Sequence, residues 1–93
     1  MLEKEVERAL VKKTEERGGM AWKFVSPGKS GVPDRIILLP NGKMGFVELK
    51  APGKKMRPLQ KKRKKQLEDL GFQVFTVDRI ERIEGVLNAI QTT

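Results

Sequence analysis

Asp34, preceded by Pro33, and the triplet Glu48-Leu49-Lys50 fourteen positions further on are the residues of this 93-residue chain whose types and spacing could do chemistry. Side chains alternate along a strand, so Glu48 and Lys50 project from one face while Val47 and Leu49 enter the core on the other. If Asp34 stands opposite Glu48, their Cβ atoms lie about 4.5–5.5 Å apart, close enough for two carboxylates to share one divalent cation. Without the cation they repel, and one is driven to keep its proton; a hard, oxygen-seeking ion, Mg2+ or Mn2+, resolves the conflict. Such an ion can activate water and neutralise charge building on a phosphate during in-line displacement. Lys50 fits electrostatic stabilisation of that charge better than base catalysis, because neighbouring carboxylates oppose loss of its proton.

The residue types that are missing sharpen this reading. The chain has no His, no Tyr and no Cys. Imidazole bases and ligands, phosphotyrosyl intermediates, disulfides and thiolate zinc sites are therefore excluded. Twenty Lys and Arg against twelve Asp and Glu give a net charge of +8 and a pI near 10.1, which points to an anionic partner, nucleic acid first. Gly28-Lys29-Ser30 is no phosphate-cradling P-loop, because position 23, where the first glycine is required, is lysine. Lys29 and Ser30 are instead candidate backbone contacts on a flexible loop. Eight positive charges fall within residues 54–65, and of these Lys54, Lys55, Arg57, Lys61, Lys62 and Lys65 are assigned to phosphate contacts that position DNA without reading bases.

The elements that must position these groups are legible from periodicity. Leu2, Val6, Ala9 and Leu10 form one stripe of an amphipathic helix over residues 2–17, stopped by Gly18-Gly19. Ala21 to Ser26 alternates as a short strand, with Trp22 and Phe24 expected in the core rather than as stacking platforms for bases. Asp34–Leu39 and Lys43–Lys50 are strands joined by Pro40-Asn41-Gly42. Ile36, Leu38 and Phe46 point one way and Ile37, Leu39, Val47 and Leu49 the other, so both faces need covering. A helix from Pro58 to Leu70, a strand over Phe72–Val77 and a last helix capped by Asp78 complete an order αβββαβα. This is an α/β fold with a mixed sheet flanked by helices, expected as one domain over residues 1–93.

Hairpin register decides whether the chemistry is possible. A two-residue turn at Asn41-Gly42 would put Asp34 opposite Leu49 and split the carboxylates between two faces. A three-residue turn with Gly42 left-handed puts Asp34 opposite Glu48, and this register is expected.

GVPDR (31–35), FVELKAPGKK (46–55) and RPLQ (57–60) resemble the virus-type replication-repair nuclease (VRR-NUC) domain of the PD-(D/E)XK nuclease superfamily, over nearly the whole chain. The resemblance implies a restriction-endonuclease-like core with Asp34 and Glu48 as metal ligands, Lys50 as the catalytic lysine and Gln60 as a supporting polar residue; Leu49 is taken as a further ligand. It also implies a glutamate from the first helix, for which Glu3 is preferred over Glu7 because it lies nearer the buried face. Stand-alone members resemble phage proteins that dimerise and act on branched, Holliday-junction-like DNA. The expectation is thus a Mg2+- or Mn2+-dependent endodeoxyribonuclease, homodimeric, binding no membrane, and cytoplasmic in a bacterial or phage-infected cell. The alternatives are a non-catalytic basic nucleic-acid-binding module or a structural protein of a nucleoprotein particle.

Overall fold

A computed structural model describes residues 2–93. Helix α1 (Glu3–Glu16) leads into strand β1 (Met20–Lys23); β2 (Arg35–Leu39) and β3 (Lys43–Leu49) follow, then helix α2 (Pro58–Asp69), strand β4 (Val74–Val77) and helix α3 (Ile83–Gln91). The order αβββαβα is the expected one. The four strands lie side by side in chain order, β1, β2 and β3 antiparallel and β4 parallel to β3. A parallel pair needs a crossover, and α2 supplies it.

One face of the sheet carries the main core. Val6 and Leu10 of α1 and Ile83, Leu87 and Ile90 of α3 are fully buried against Ile37, Val47 and Val77. The stripe of α1 is shifted from its expected position: Leu2 is 68% exposed, and Thr14 takes the third buried place. Leu2 fails to bury because it sits ahead of the first helical residue, in extended backbone that does not follow the helical stripe. Thr14 is tolerated in the core because its hydroxyl donates to the Leu10 carbonyl at 2.7 Å. At the far end of α1, Arg17 holds Glu84 of α3 at 2.6 Å, tying the two helices over the sheet.

The second face is covered by α2 alone, and incompletely. Phe46 is its centre, with Phe24 at 5.6 Å and Phe72 at 5.9 Å between ring centroids. Trp22, expected in the core, is 56% exposed, and Met20 beside it is 48% exposed. Alternation was read correctly, but the face onto which Trp22 points lacks a second helix. Strand β1 also ends earlier than expected, at Lys23, although the Phe24 amide still donates to the Asp34 carbonyl. Asp78 does not cap the last helix: a turn of 3-10 helix (Ile80–Arg82) intervenes, and Asp78 pairs with Arg79 at 3.4 Å instead. Among the described residues no helix is long and apolar enough to cross a membrane.

Candidate active site

The hairpin between β2 and β3 turns through Pro40-Asn41-Gly42, with Gly42 at φ +72° and Asn41 also left-handed at φ +69°. Leu39 pairs with Lys43, Ile37 with Gly45 and Arg35 with Val47, which carries Asp34 opposite Glu48. The three-residue register is therefore the one adopted. Asp34 is then locked: its Oδ2 accepts a 2.7 Å hydrogen bond from the Leu49 amide, so the strand that bears Glu48 also orients the aspartate.

Glu48 is almost completely buried, 2% exposed, in a row with Asp34 on one side and Thr76 of β4 on the other. Burial, reinforced by a hydrogen bond to Asp34 and that group's charge, pushes the Glu48 carboxyl up to about 8. Glu3 acts in the same sense, while Lys50 opposes it. The ammonium lowers the cost of a charged Glu48 without cancelling it. Glu48 thus keeps its proton at neutral pH, and a divalent cation in its place would offset the same burial and repulsion. All available donors of the two carboxylates are oxygens, which fits Mg2+ or Mn2+.

Past the end of β3, Lys50 enters an open cleft of about 320 Å³ shared with Glu3, Ala51, Lys54, Lys55 and Arg57. Of the two helix glutamates, the structure brings Glu3 to the cleft. Glu7 is occupied elsewhere, bound to the Arg35 guanidinium at 3.0 Å. The described residues contain no cluster of three or more carboxylates at metal-binding distance, so Glu3 stands at the rim while Asp34 and Glu48 form the close pair. Leu49 has its side chain in the core and only its main-chain carbonyl to offer a cation.

The remaining expected residues are distributed unevenly. Gln60 accepts from the Arg57 amide at 2.9 Å and so caps the first turn of α2, next to the cleft but not lining it. Lys54, Lys55 and Arg57 surround Lys50. Lys61 and Lys62 are exposed on α2, whereas Lys65 is paired with Asp69 at 3.1 Å. Lys29 lies away from the cleft, beside an apolar groove between Phe24 and α2, and the Ser30 carbonyl accepts from Arg63, which fastens that loop to α2.

Two residues were not anticipated. Thr76 adjoins Glu48 in the sheet, and its hydroxyl lies 3.3 Å from the Met56 sulfur, so the 51–57 segment folds back over the carboxylate row. Strand alternation alone would have put Thr76 on the face of Phe72 and Val74; only the parallel β3–β4 register puts it beside Glu48.

Known proteins resemble this chain in sequence and in fold. The family model of the VRR-NUC domain matches residues 2–78. The p44 protein of Acyrthosiphon pisum secondary endosymbiont phage 1, which its name provisionally calls a nuclease, is 47% identical over 88 residues, covering 95% of this chain and 94% of its own length. A solved VRR_NUC domain superposes with a TM-score of 0.86 at 29% identity, covering 92% of this chain and 94% of that one.

Proposed function

Because the chain belongs to the VRR-NUC domain family, a family of nucleases, we propose that it is a divalent-metal-dependent endodeoxyribonuclease selective for branched DNA, acting as a homodimer in the cytoplasm of a bacterial or phage-infected cell. The observation that carries this reading is the buried Asp34–Glu48 pair, set in register by the hairpin and adjoined by Lys50. Asp34, Glu48 and the Leu49 carbonyl would hold Mg2+ or Mn2+, which when bound supplies activated water and positive charge at the scissile phosphate.

The protein's own groups do the rest. Asp34 is kept in place by the Leu49 amide and needs no rearrangement to accept a cation. Glu48 would release its proton to solvent on binding the cation. The Lys50 ammonium meets the negative charge that grows on the phosphate in the transition state. Glu3 closes the far side of the cleft, and Lys54, Lys55 and Arg57 bring the DNA backbone over it. The homodimer is supported by the incompletely covered sheet face around Met20 and Trp22, an apolar surface that a second copy could bury.

The test is cleavage of labelled four-way junction, flap and linear duplex by the wild type and by Lys50→Ala, each with Mn2+, Mg2+ or EDTA. Metal-dependent cutting by the wild type, reduced at least about 100-fold in Lys50→Ala with binding retained, is expected. Tight binding by both proteins with no cutting on any substrate would instead identify a basic binding module.

A further inference from the structure

The cations around Lys50 occupy only one side of the cleft. On the other side, Glu3 begins α1, and from the next residue onward Lys4, Arg8 and Lys12 recur every four positions along one exposed face of that helix. They line a shallow groove of about 330 Å³ together with Glu7, Val11, Glu15 and Arg35. The Arg35 guanidinium is spent on Glu7 at 3.0 Å and the Ala21 carbonyl at 2.8 Å. Among the described residues, by contrast, no carboxylate pairs with Lys4, Arg8 or Lys12. Three unpaired cations therefore run away from the cleft, and of the two carboxylates that line the groove with them only Glu15 is unspent, Glu5 and Glu16 lying outside it.

We propose that this ridge is a second phosphate track, on which the DNA backbone continues beyond the scissile bond along α1, opposite the track on the 51–65 segment. The inference rests on the nuclease reading for its substrate. Eight residues of helix carry the ridge about 12 Å, the axial rise of three to four phosphates on one strand at about 3.4 Å each. Three side chains spaced about 6 Å apart can thus each meet a phosphate within that stretch. Val11, half-buried between them, lets the backbone approach without a polar group to desolvate. With one track on each side, the Asp34–Glu48 pair lies where a backbone spans from α1 to the 51–57 segment, so the scissile phosphate is held from both directions.

Duplex binding is measured by fluorescence anisotropy between 50 and 200 mM salt, in a Lys50→Ala background so that nothing is cut. The proteins are the background itself, a variant with Lys4→Gln, Arg8→Gln and Lys12→Gln, and a variant with Glu15→Gln. Loss of three phosphate contacts should flatten the dependence of log affinity on log salt by about 2.7. Over that fourfold salt range the background then loses about 40-fold more affinity than the triple variant. Glu15→Gln should bind more tightly than the background, a gain that misfolding cannot produce. Unchanged affinity and slope in the triple variant, with no gain in Glu15→Gln, would overturn the ridge. Cleavage by the unaltered chain reports separately on the nuclease reading, so the two can fail independently.

Discussion

At the scale of single residues, the site is organised around a carboxyl that the fold makes hard to ionise. Glu48 is held protonated up to about pH 8, against an ordinary value of 4.5, first by burial and then by Asp34. The sign follows directly. Between those values the unfolded chain has released the proton and the folded one has not, so metal-free stability falls as pH rises through that window. A divalent cation that replaces the proton reverses this trend, and its apparent affinity should rise by up to about tenfold per pH unit below 8. Thermal melts of the wild type at pH 6 and 9 should show a lower Tm at the higher pH without metal and recovery with Mn2+. Glu48→Gln should show neither the pH dependence nor the Mn2+ effect; an equal Mn2+ shift in that variant would remove Glu48 from the metal site. Asp34, Glu48 and Lys50 were legible in the sequence because strand alternation and turn length alone relate them. The choice between Glu3 and Glu7 was less so, since both lie near the same edge of the helix. What separates them is the Arg35 guanidinium, a partner brought in by the fold from 28 positions away.

At the scale of elements, a three-residue turn does the decisive work. Had the turn held two residues, every side chain of β3 would have faced the opposite way relative to β2. Gly42, at φ +72°, makes the turn possible, and nothing lies near the position a Cβ would occupy. Gly42→Ala should therefore cost only the left-handed strain, about 1–2 kcal/mol, with cleavage retained. Gly19 answers to a different constraint. A Cβ there would overlap the Leu38 carbonyl oxygen and come within 2.8 Å of Leu39 Cδ2. Gly19→Ala must push β1 off its neighbour and should lose more stability than Gly42→Ala in urea denaturation; an equal or smaller loss would show that the junction of α1 and β1 yields easily. Element types and order were readable from periodicity, and so was the register. One local feature was not: Asp78 stands where a cap is expected, before an apolar run, but the intervening 3-10 turn moves the helix start five residues on.

At the scale of the whole molecule, the two faces of the sheet are unequal. Two helices bury one face, while the other has only α2, no residue of which is fully buried, and this leaves Met20 and Trp22 largely in solvent, with Leu70 and Phe72 also exposed. Sequence reasoning placed Trp22 in a core because an alternating strand with a large aromatic residue usually has one. That inference would hold for an isolated chain only if something else covered the face, and a second copy is the occupant the proposed homodimer supplies. A net charge of +8 on each copy opposes association, so dimerisation should strengthen as salt screens the repulsion, opposite to the trend for DNA binding. Light scattering at 300 mM salt should find the wild type dimeric and Trp22→Glu monomeric. Because Trp22 stands opposite Ile36, one row along the same face from Asp34 and Glu48, and offers the cation no oxygen, the variant should keep its Mn2+-induced rise in Tm while losing paired cuts on a symmetric junction. A Trp22→Glu protein that remains dimeric would move the interface elsewhere, and a wild type that is monomeric at that salt would show that each copy works alone.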